Sequence, residues 1–239
     1  PDRVYAKGIL AARDGIFCAN GPEVACSPSL EVMHLSGRDI DLEIPVQPGK
    51  VRVIDVIADQ VVTQTTLLSP SVQNGLAVAD PERDMAKIAV IERYTGNAGT
   101  GKGFVRGLGL CKGALASSVA HDSHNIVTAG TNDRDMKKAA QKVIEMKGGF
   151  AVARDGDIVE TLPLEIAGLM TDLPMAEVDN RMKSVIRAAK ELGCPLDDPF
   201  MALGFLALPV IPELKITDKG LCDVNQFQIV DLFVREQNQ

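Results

Sequence analysis

Short apolar runs joined by tight-turn signals are the feature of this sequence that most limits its fold. In GFAVARDGDIVE, residues 149–160, two such runs flank Asp155 and Gly156, and Asp-Gly supplies the positive-φ positions that a hairpin turn requires. The opening, VYAKGILAARDGIFCA, carries the same signal at residues 13–15 and predicts a second hairpin. The shared letters ARDG are turn chemistry and do not establish a repeat.

Further strands are predicted wherever apolar residues alternate or run together between turn signals. These segments are LEVMHL, DIDLEIPV, VRVIDVIA, QVVTQTTLL, KIAVIERY, GFVRGLGL, ALASSVA, IVTAG, LKITDKGLCDV and FQIVDLFV. QPGK, residues 47–50, is the best linker in the chain, so we expect a short β segment over residues 1–47 and a larger mixed domain over residues 48–239.

Two helices are predicted in the larger domain. The first spans about residues 132–147 and begins at a Thr131 or Asn132 cap, and the second spans about residues 174–192. The apolar stripe of the first is Met136, Ala140, Val143 and Ile144. That of the second is Met175, Val178, Met182, Val185, Ile186, Ala189 and Leu192, with the methionines interpreted as core residues. Hairpin-connected strands with two main helices predict an α+β fold.

Composition excludes several classes of function. The chain has 239 residues, a net charge of -7 and no Trp, which argues against nucleic-acid binding. Five scattered cysteines without a C-x-x-C pair favour a reducing, cytoplasmic environment. The longest apolar stretch, FMALGFLALPVIP, is broken by Pro209 and Pro212 and is shorter than the roughly 18 residues of a membrane span.

The segment ERYTGNAGTGKGF, residues 92–104, contains the G-x-x-x-x-G-K spacing of a phosphate-binding loop in Gly96, Gly101 and Lys102. A Ser or Thr should follow the lysine and a helix should start there, but the next residue is Gly103 and GFVRGLGL has a strand pattern. We therefore interpret the segment as a glycine-rich turn between two strands. Its glycines would let the backbone approach a neighbour closely.

A polar cluster, SSVAHDSHN, lies between two apolar strands and contains two of the three histidines. If the segment is extended, His121 and Ser123 share one face, whereas a turn would bring His121 and His124 together. Three interpretations stay open: a divalent-metal site, an acid/base or substrate-binding cluster, and a structural loop that satisfies buried backbone groups. The third histidine, His34, is interpreted as structural.

We name candidates on the second interpretation. The candidate catalytic residues are His121, Asp122 and His124, and the candidate substrate-binding residues are Ser117, Ser118, Ser123, Asn125 and Glu92. No metal-ligating residue is proposed. Glu92 and Arg93 end a predicted strand and would lie near the cluster if the two strands are neighbours, although a surface ion pair explains them equally well.

Three blocks resemble the C-terminal domain of bacterial and archaeal adenine deaminases of the amidohydrolase superfamily. The blocks are IERYTGNAGTGKGFVRGLGLCKGALASSVAHDSHNIVTAGTNDRDM, LPLEIAGLMTDLP and PFMALGFLALPVIPELKITDKGLCDV. The resemblance runs from about residue 50 to the end, and AHDSHN and LALPVIPELKITDKG are its most specific parts. The opening VYAKGILAARDG is similar to the short β segment that follows the catalytic barrel in such enzymes.

The resemblance implies a reaction, adenine plus water to hypoxanthine plus ammonia, that takes place in a metal-bearing barrel. Such a barrel needs about 250 residues and an H-x-H pair among its metal ligands, and this chain has no H-x-H. Because the barrel is missing and the chain begins with Pro1, we expect the C-terminal portion of a longer enzyme. The resemblance implies a homo-oligomer, and we expect this portion to help close the barrel active site or hold subunits together without being catalytic alone. Two divalent ions (manganese, iron or zinc) are expected in the barrel and none in this portion. The alternatives are a free-standing module that binds a purine or other small ligand, and a structural oligomerisation domain.

Overall fold

The computed structural model describes residues 1–18, 32–35, 37, 39–96 and 99–235. The first strands are β1 (Arg3–Ala6), β2 (Ile9–Arg13), β3 (Ile16–Phe17), β4 (Lys50–Val56), β5 (Thr63–Leu68), β6 (Ser71–Gln73), β7 (Leu76–Val78) and β8 (Met85–Ile91). These are followed by β9 (Thr100–Arg106), β10 (Ala114–Ser117), β11 (Ile126–Gly130), β12 (Gly149–Arg154), β13 (Asp157–Pro163), β14 (Leu214–Thr217), β15 (Gly220–Asp223), β16 (Gln228–Val230) and β17 (Phe233–Val234). The helices are α1 (Asp133–Glu145), α2 (Met175–Glu191) and α3 (Pro199–Leu206), with a 3-10 turn at Pro81–Arg83.

One nine-stranded sheet organises the larger part of the chain. Its order is β13-β12-β10-β11-β8-β9-β4-β17, and β5 pairs with β4 outside this path. Only the β4–β9 pair among these is parallel, and the other pairs are antiparallel. The α+β class predicted from the hairpin signals is confirmed.

Both faces of this sheet are covered by packed side chains. Successive residues of a strand point to opposite faces, so neighbours on one strand belong to different cores. On β8, Ile88 and Val90 belong to a core shared with α2, α3 and the β14–β15 hairpin. Their neighbours Ala89 and Ile91 belong to a second core with α1. Each fully buried aliphatic side chain contributes about 1.5–3 kcal/mol, so the two cores supply much of the stability of the fold.

The predicted first helix is α1, and Asn132 caps it by accepting a hydrogen bond from the Asp135 N–H at 2.8 Å. Its predicted stripe is buried, whereas Met175 at the start of α2 is 87 % exposed, so its assignment as a core residue was wrong. The third helix, α3, was not predicted. Its apolar residues are not confined to one face, and Asp198 caps it by accepting from the Met201 N–H at 2.9 Å.

The bounds of the strands at the two ends of the chain also differ from the prediction. Lys7 and Gly8, both at positive φ, break the first predicted strand into β1 and β2, which gives three short strands instead of two. The closing segments form four short strands, β14 to β17, rather than two. No helix within the described residues is both long and apolar enough to cross a membrane.

The predicted strands LEVMHL and DIDLEIPV are wrong where the structure describes them. Residues 32–35 and 39–44 form no strand, and Pro45 makes an isolated bridge with Leu76. The alternation that suggested strands is real, because Met33, Leu35, Ile40 and Leu42 are buried. These side chains pack with α1 on a face of the main sheet, so their alternation reflects burial on that face rather than strand pairing. The boundary at residues 47–50 stays a prediction.

Candidate functional site

The polar cluster lies at the end of the main sheet where β10 ends and β11 begins. Strands β8 and β11 are antiparallel neighbours, with Ile91 opposite Ile126. Extending that register past the strand ends brings Arg93 next to His124. The sequence predicted that Glu92 and Arg93 would lie near the cluster if their strands were neighbours, and β8 and β11 are neighbours.

Arg93 is the central residue of this region. Its side chain is 1 % exposed, which excludes a simple surface ion pair. Its Nε donates to the carbonyl oxygen of His124 at 2.5 Å, and its Nη2 donates to the carbonyl oxygen of Ala167 at 3.0 Å. Burial lowers the pKa of the guanidinium. One buried cation therefore connects the β10–β11 loop with the loop that follows β13.

Tyr94 extends the same network. The Arg93 guanidinium lies 4.7 Å from the centre of the Tyr94 ring and donates through Nη2 to its hydroxyl at 3.1 Å. That hydroxyl donates to the carbonyl oxygen of Ser123 at 2.7 Å. The backbone that follows the exposed Ser123 side chain is thus held in place, because the carbonyl groups of Ser123 and His124 accept from Tyr94 and Arg93.

His124 adopts a positive φ of 51° and closes a tight turn. Its N–H donates to the carbonyl oxygen of Ala120 at 2.6 Å, and its Nδ1 accepts from the Ala120 N–H at 3.3 Å. Burial lowers the pKa of His124, the positive charges of His121 and Arg93 lower it further, and Asp122 opposes them. A neutral ring that accepts at Nδ1 carries its proton on Nε2.

His121 lies on the other side of this turn. The two histidine ring centres are 5.8 Å apart, so the turn conformation brings them together as expected for that alternative. The His121 ring also lies 5.0 Å from the ring of Phe205 on α3 and lines a small cavity of about 80 Å³. Asp122, between the histidines, is exposed. The loop therefore presents two imidazoles and a carboxylate at the surface.

The two serine candidates at the end of β10 are buried and hydrogen-bonded to the backbone. The Ser117 hydroxyl donates to the carbonyl oxygen of Val119 at 3.1 Å and accepts from the Val119 N–H at 2.9 Å. The Ser118 hydroxyl donates to the carbonyl oxygen of Gly168 at 2.6 Å and accepts from the Gly149 N–H at 2.7 Å. Within the described residues, both hydroxyl groups bind backbone groups of nearby loops and are not directed to the surface.

The remaining candidates differ in their surroundings. The Glu92 carboxylate accepts from the N–H groups of Tyr94 and Thr95 at 2.6 and 3.0 Å, which closes the turn after β8. Asn125 is buried and donates through Nδ2 to the carboxylate of Asp218 at 3.3 Å. Glu92 therefore shapes its own loop, while Asn125 ties the histidine turn to the β14–β15 hairpin.

Three buried side-chain atoms in the described part of the chain have no hydrogen-bond partner: Arg93 Nη1, Asn125 Oδ1 and Glu165 Oε2. Asn125 directly follows His124, and Glu165 lies two residues before Ala167, so each is close in sequence to a carbonyl that Arg93 contacts. Buried polar groups are normally paired, and exceptions call for a specific explanation. Their concentration here marks this end of the sheet as a candidate functional site.

Sequence reasoning missed the loop after β13. Gly168 in this loop has a φ of +74°, and a Cβ added there would overlap Arg93 Nη1. The loop can pack on the guanidinium only because residue 168 lacks a side chain. A glycine in LPLEIAGLM was visible in the sequence, but nothing local indicated that it faces an arginine 75 residues earlier.

The glycine-rich segment joins β8 to β9, which pair antiparallel as predicted, and residues 97–98 of the predicted turn lie outside the described residues. Lys102 lies within strand β9, where a phosphate-binding loop would need a helix to begin, and its Nζ pairs with the Asp41 carboxylate at 2.8 Å. That ammonium lowers the pKa of Asp41. An added Cβ at Gly101 would overlap the carbonyl oxygen of Thr217, so the expected close approach occurs, against the β14–β15 hairpin.

Comparison with known proteins identifies the family. The family described as adenine deaminase C-terminal domain matches residues 60–228. The chain belongs to this family. Curated relatives named adenine deaminase include those of Desulfatibacillum aliphaticivorans, 49 % identical over 230 residues, and Syntrophobacter fumaroxidans, 45 % identical over 237 residues. A third, from Methanothrix thermoacetophila, is 42 % identical over 234 residues.

The adenine deaminase relatives are much longer than this chain. The alignments cover 96 to 98 % of this chain but only 40 to 41 % of those three relatives. The family resemblance inferred from blocks such as AHDSHN is therefore confirmed. The chain spans about two fifths of the length of these relatives.

The side chains present do not fit a two-metal centre. Within the described ranges, no group of three or more His, Cys, Asp or Glu side chains is arranged to hold a metal ion. The chain has only three histidines in total. None of the three described residues His121, Asp122 and His124 belongs to such a group.

Proposed function

We propose that this chain is the C-terminal portion of an adenine deaminase, which hydrolyses adenine to hypoxanthine and ammonia. The observation that carries the proposal is the family match over residues 60–228 in a chain that spans about two fifths of the length of such relatives. In this proposal the chain is inactive by itself and closes or supports an active site formed by the rest of the enzyme.

Water activation, the metal-dependent step of the reaction, is assigned to the part of the enzyme outside these residues. Hydrolysis at an amidine carbon needs an activated water, and two divalent ions (manganese, iron or zinc) in a barrel domain would supply it. The donor groups described here do not form such a site. The partners of this chain are therefore that barrel and, through it, adenine. We further propose a cytoplasmic homo-oligomer.

The β10–β11 loop is the part of this chain that we assign to the active site. The Arg93 and Tyr94 hydrogen bonds fix its backbone, so the exposed side chains need little ordering when a partner or substrate arrives. A neutral His124 offers an Nε2–H donor, and His121 and Asp122 can accept or transfer protons. Polar groups placed in this way discriminate a purine only when the correct substrate pairs with them.

The first experiment compares His121→Ala and His124→Ala in the full-length enzyme with His34→Ala. His34 is the third histidine, has an exposed side chain and lies outside the loop, so it provides a matched control. We expect kcat/KM for adenine to fall about 100-fold in the loop variants, as removal of a general acid or base does, and to stay constant in the control. Unchanged kcat/KM with unchanged stability in both loop variants would remove the assigned role.

A second experiment tests the division of labour. Ammonia release from adenine is measured for the full-length enzyme and for this chain alone, both with added manganese, iron or zinc. Activity of the full-length enzyme only is the expected result. Ammonia release catalysed by this chain alone would contradict the proposal.

A further inference from the structure

A cavity of about 330 Å³ lies between the segment that follows β4 and the N-terminal half of α3. Its walls are mostly apolar and include Val61, Leu196 and Phe205. It is separate from the hydrogen-bond network of Arg93. Cavities of this size and character are typical of places where a ligand or a partner side chain is buried.

Exposed apolar side chains lie in this cavity and on the chain segments next to it. We call the surface formed by the cavity together with Val61, Val62, Met201 and Val210 the α3 face, and these four side chains are between 38 % and 61 % exposed. The segments that carry Val62 and Val210 are neighbours, because the Thr63 N–H donates to the carbonyl oxygen of Pro212 at 2.9 Å. Exposed apolar groups clustered in this way mark protein contact surfaces.

The charged groups at the cavity are all acidic. Asp59, Asp197 and Asp198 line it, and neither lysine nor arginine is among its lining residues. Asp197 pairs with Lys190 at 3.1 Å on the surface, and Asp198 uses one carboxylate oxygen for the α3 cap. The buried Lys215 donates to the carbonyl oxygen of Val61 at 2.7 Å and does not line the cavity. The cavity therefore favours a cationic occupant.

The α3 face is directly connected to the candidate site. Phe205 lines the cavity, and its ring lies 5.0 Å from the ring of His121. Asp198 and Met201 line both this cavity and the smaller one beside His121. A partner on the α3 face would therefore lie next to the histidine turn.

We propose that the α3 face is where this chain docks onto the remaining part of the enzyme, and that a Lys or Arg side chain of that part enters the cavity beside the three aspartates. This proposal rests on the proposed function and specifies its geometry. The family relatives provide about three fifths of their length outside the matched region, which is enough polypeptide for such a partner. Docking there would place His121 and His124 at the interface.

The first test uses hydrogen exchange of residues 57–62, which connect β4 with β5 and include four residues that line the cavity, Ile57, Asp59, Gln60 and Val61. Their amides are compared in this chain alone and in the full-length enzyme. We expect exchange at least about 10-fold slower in the full-length enzyme, corresponding to about 1.4 kcal/mol of protection. Equal exchange in both would overturn the proposal, and so would protection in this chain alone that grows with its concentration, since a second copy would then be the occupant.

The second test uses Val61→Glu combined with Met201→Glu. The control is Val72→Glu with Ile229→Glu, whose side chains are 54 % and 53 % exposed and lie outside the α3 face. All four positions are exposed, so we expect the same Tm for both double variants of this chain alone. In the full-length enzyme, only the α3-face variant should lose protection against exchange at residues 57–62. Only that variant should also become more sensitive to proteolysis where this chain joins the rest of the enzyme. Equal behaviour of the two would overturn the proposal.

The third test addresses charge. Asp198→Asn keeps an oxygen that can cap α3, and Asp59→Asn removes a second carboxylate. The double variant should dock more weakly in the full-length enzyme and show less dependence of docking on salt. Docking that is unchanged in strength and salt dependence would overturn the cationic occupant. Hydrogen exchange does not require turnover, so loss of docking is distinguishable from the absence of adenine deamination, which would contradict the proposed function instead.

Discussion

The Nε of Arg93 donates to the carbonyl oxygen of His124 at 2.5 Å across the ends of β8 and β11. This contact joins two residues that are 31 positions apart in sequence. It fixes the backbone of the turn that carries His121 and His124, and through Ala167 it also holds the loop after β13. The candidate site is therefore organised by one buried cation.

Replacing Arg93 should destabilise the chain strongly. Arg93→Met leaves the carbonyl groups of His124 and Ala167 without their donor, and each unpaired buried group costs about 1–3 kcal/mol. We expect a loss of about 2–4 kcal/mol by urea denaturation. Arg83→Met removes a partly exposed guanidinium 3.7 Å from Asp80 and should cost less than about 1 kcal/mol. Equal losses in the two variants would show that the buried network contributes little.

Gly168→Ala should test the contact between the loop after β13 and Arg93. The added Cβ would overlap Arg93 Nη1 at a φ of +74°. Gly15→Ala is the matched control, because its φ is +78° and nothing lies within 4 Å of the added Cβ. We expect about 1 kcal/mol of backbone strain in both and a further 1–3 kcal/mol, roughly, only at Gly168. Thermal unfolding measures both, and identical Tm shifts would contradict the overlap.

The pKa of His124 should lie below its ordinary value of 6.5, chiefly because of burial. Asp122 opposes this shift, so Asp122→Asn should lower the pKa of His124 further, which NMR titration of the ring protons can follow. Because the folded-state pKa lies below the unfolded-state pKa, the unfolded chain binds more protons than the folded chain at pH values between these two pKa values. Stability should therefore fall as the pH decreases through 6.5 and level off below the folded-state pKa. A rise in the His124 pKa in Asp122→Asn would contradict this account.

Lys215 should make stability depend on alkaline pH. Burial lowers its pKa from 10.5 to about 8, so between those values the unfolded chain holds a proton that the folded chain has released. Stability should rise with pH across this window, by about 3 kcal/mol in total. Lys215→Met lacks the titrating group, and its free energy of unfolding should increase less over the same window. Parallel pH profiles of the two proteins, measured by urea denaturation, would argue against a depressed Lys215 pKa.

Several elements were predictable because their signals are local. Asp155 and Gly156 form the turn between β12 and β13, and Asn132 caps α1, since turn and cap chemistry depend on adjacent residues. The first helix and the exclusion of a phosphate-binding loop followed from the same kind of signal. The convergence of His121 and His124 was one of two local possibilities, and the turn at His124 decided between them.

Other elements left no usable local signal. Residues 39–44 alternate as a strand would, yet they lie on the face of the main sheet rather than at an edge. Helix α3 is apolar without the one-sided periodicity that indicates an amphipathic helix. The buried state of Arg93 was equally hidden, because a charged residue at a strand end is usually exposed.

The sequence by itself determined the α+β class, the hairpins, the first helix and the family, because each depends on neighbouring residues or on an extended match. Only the tertiary structure decided that β8 lies beside β11, that Arg93 is buried against the turn of His124, and that Gly168 packs on its guanidinium. The physical reason is that these relationships depend on which strands are neighbours in the sheet. That choice is set by the packing of two cores on opposite faces, and a pattern within one segment does not contain it.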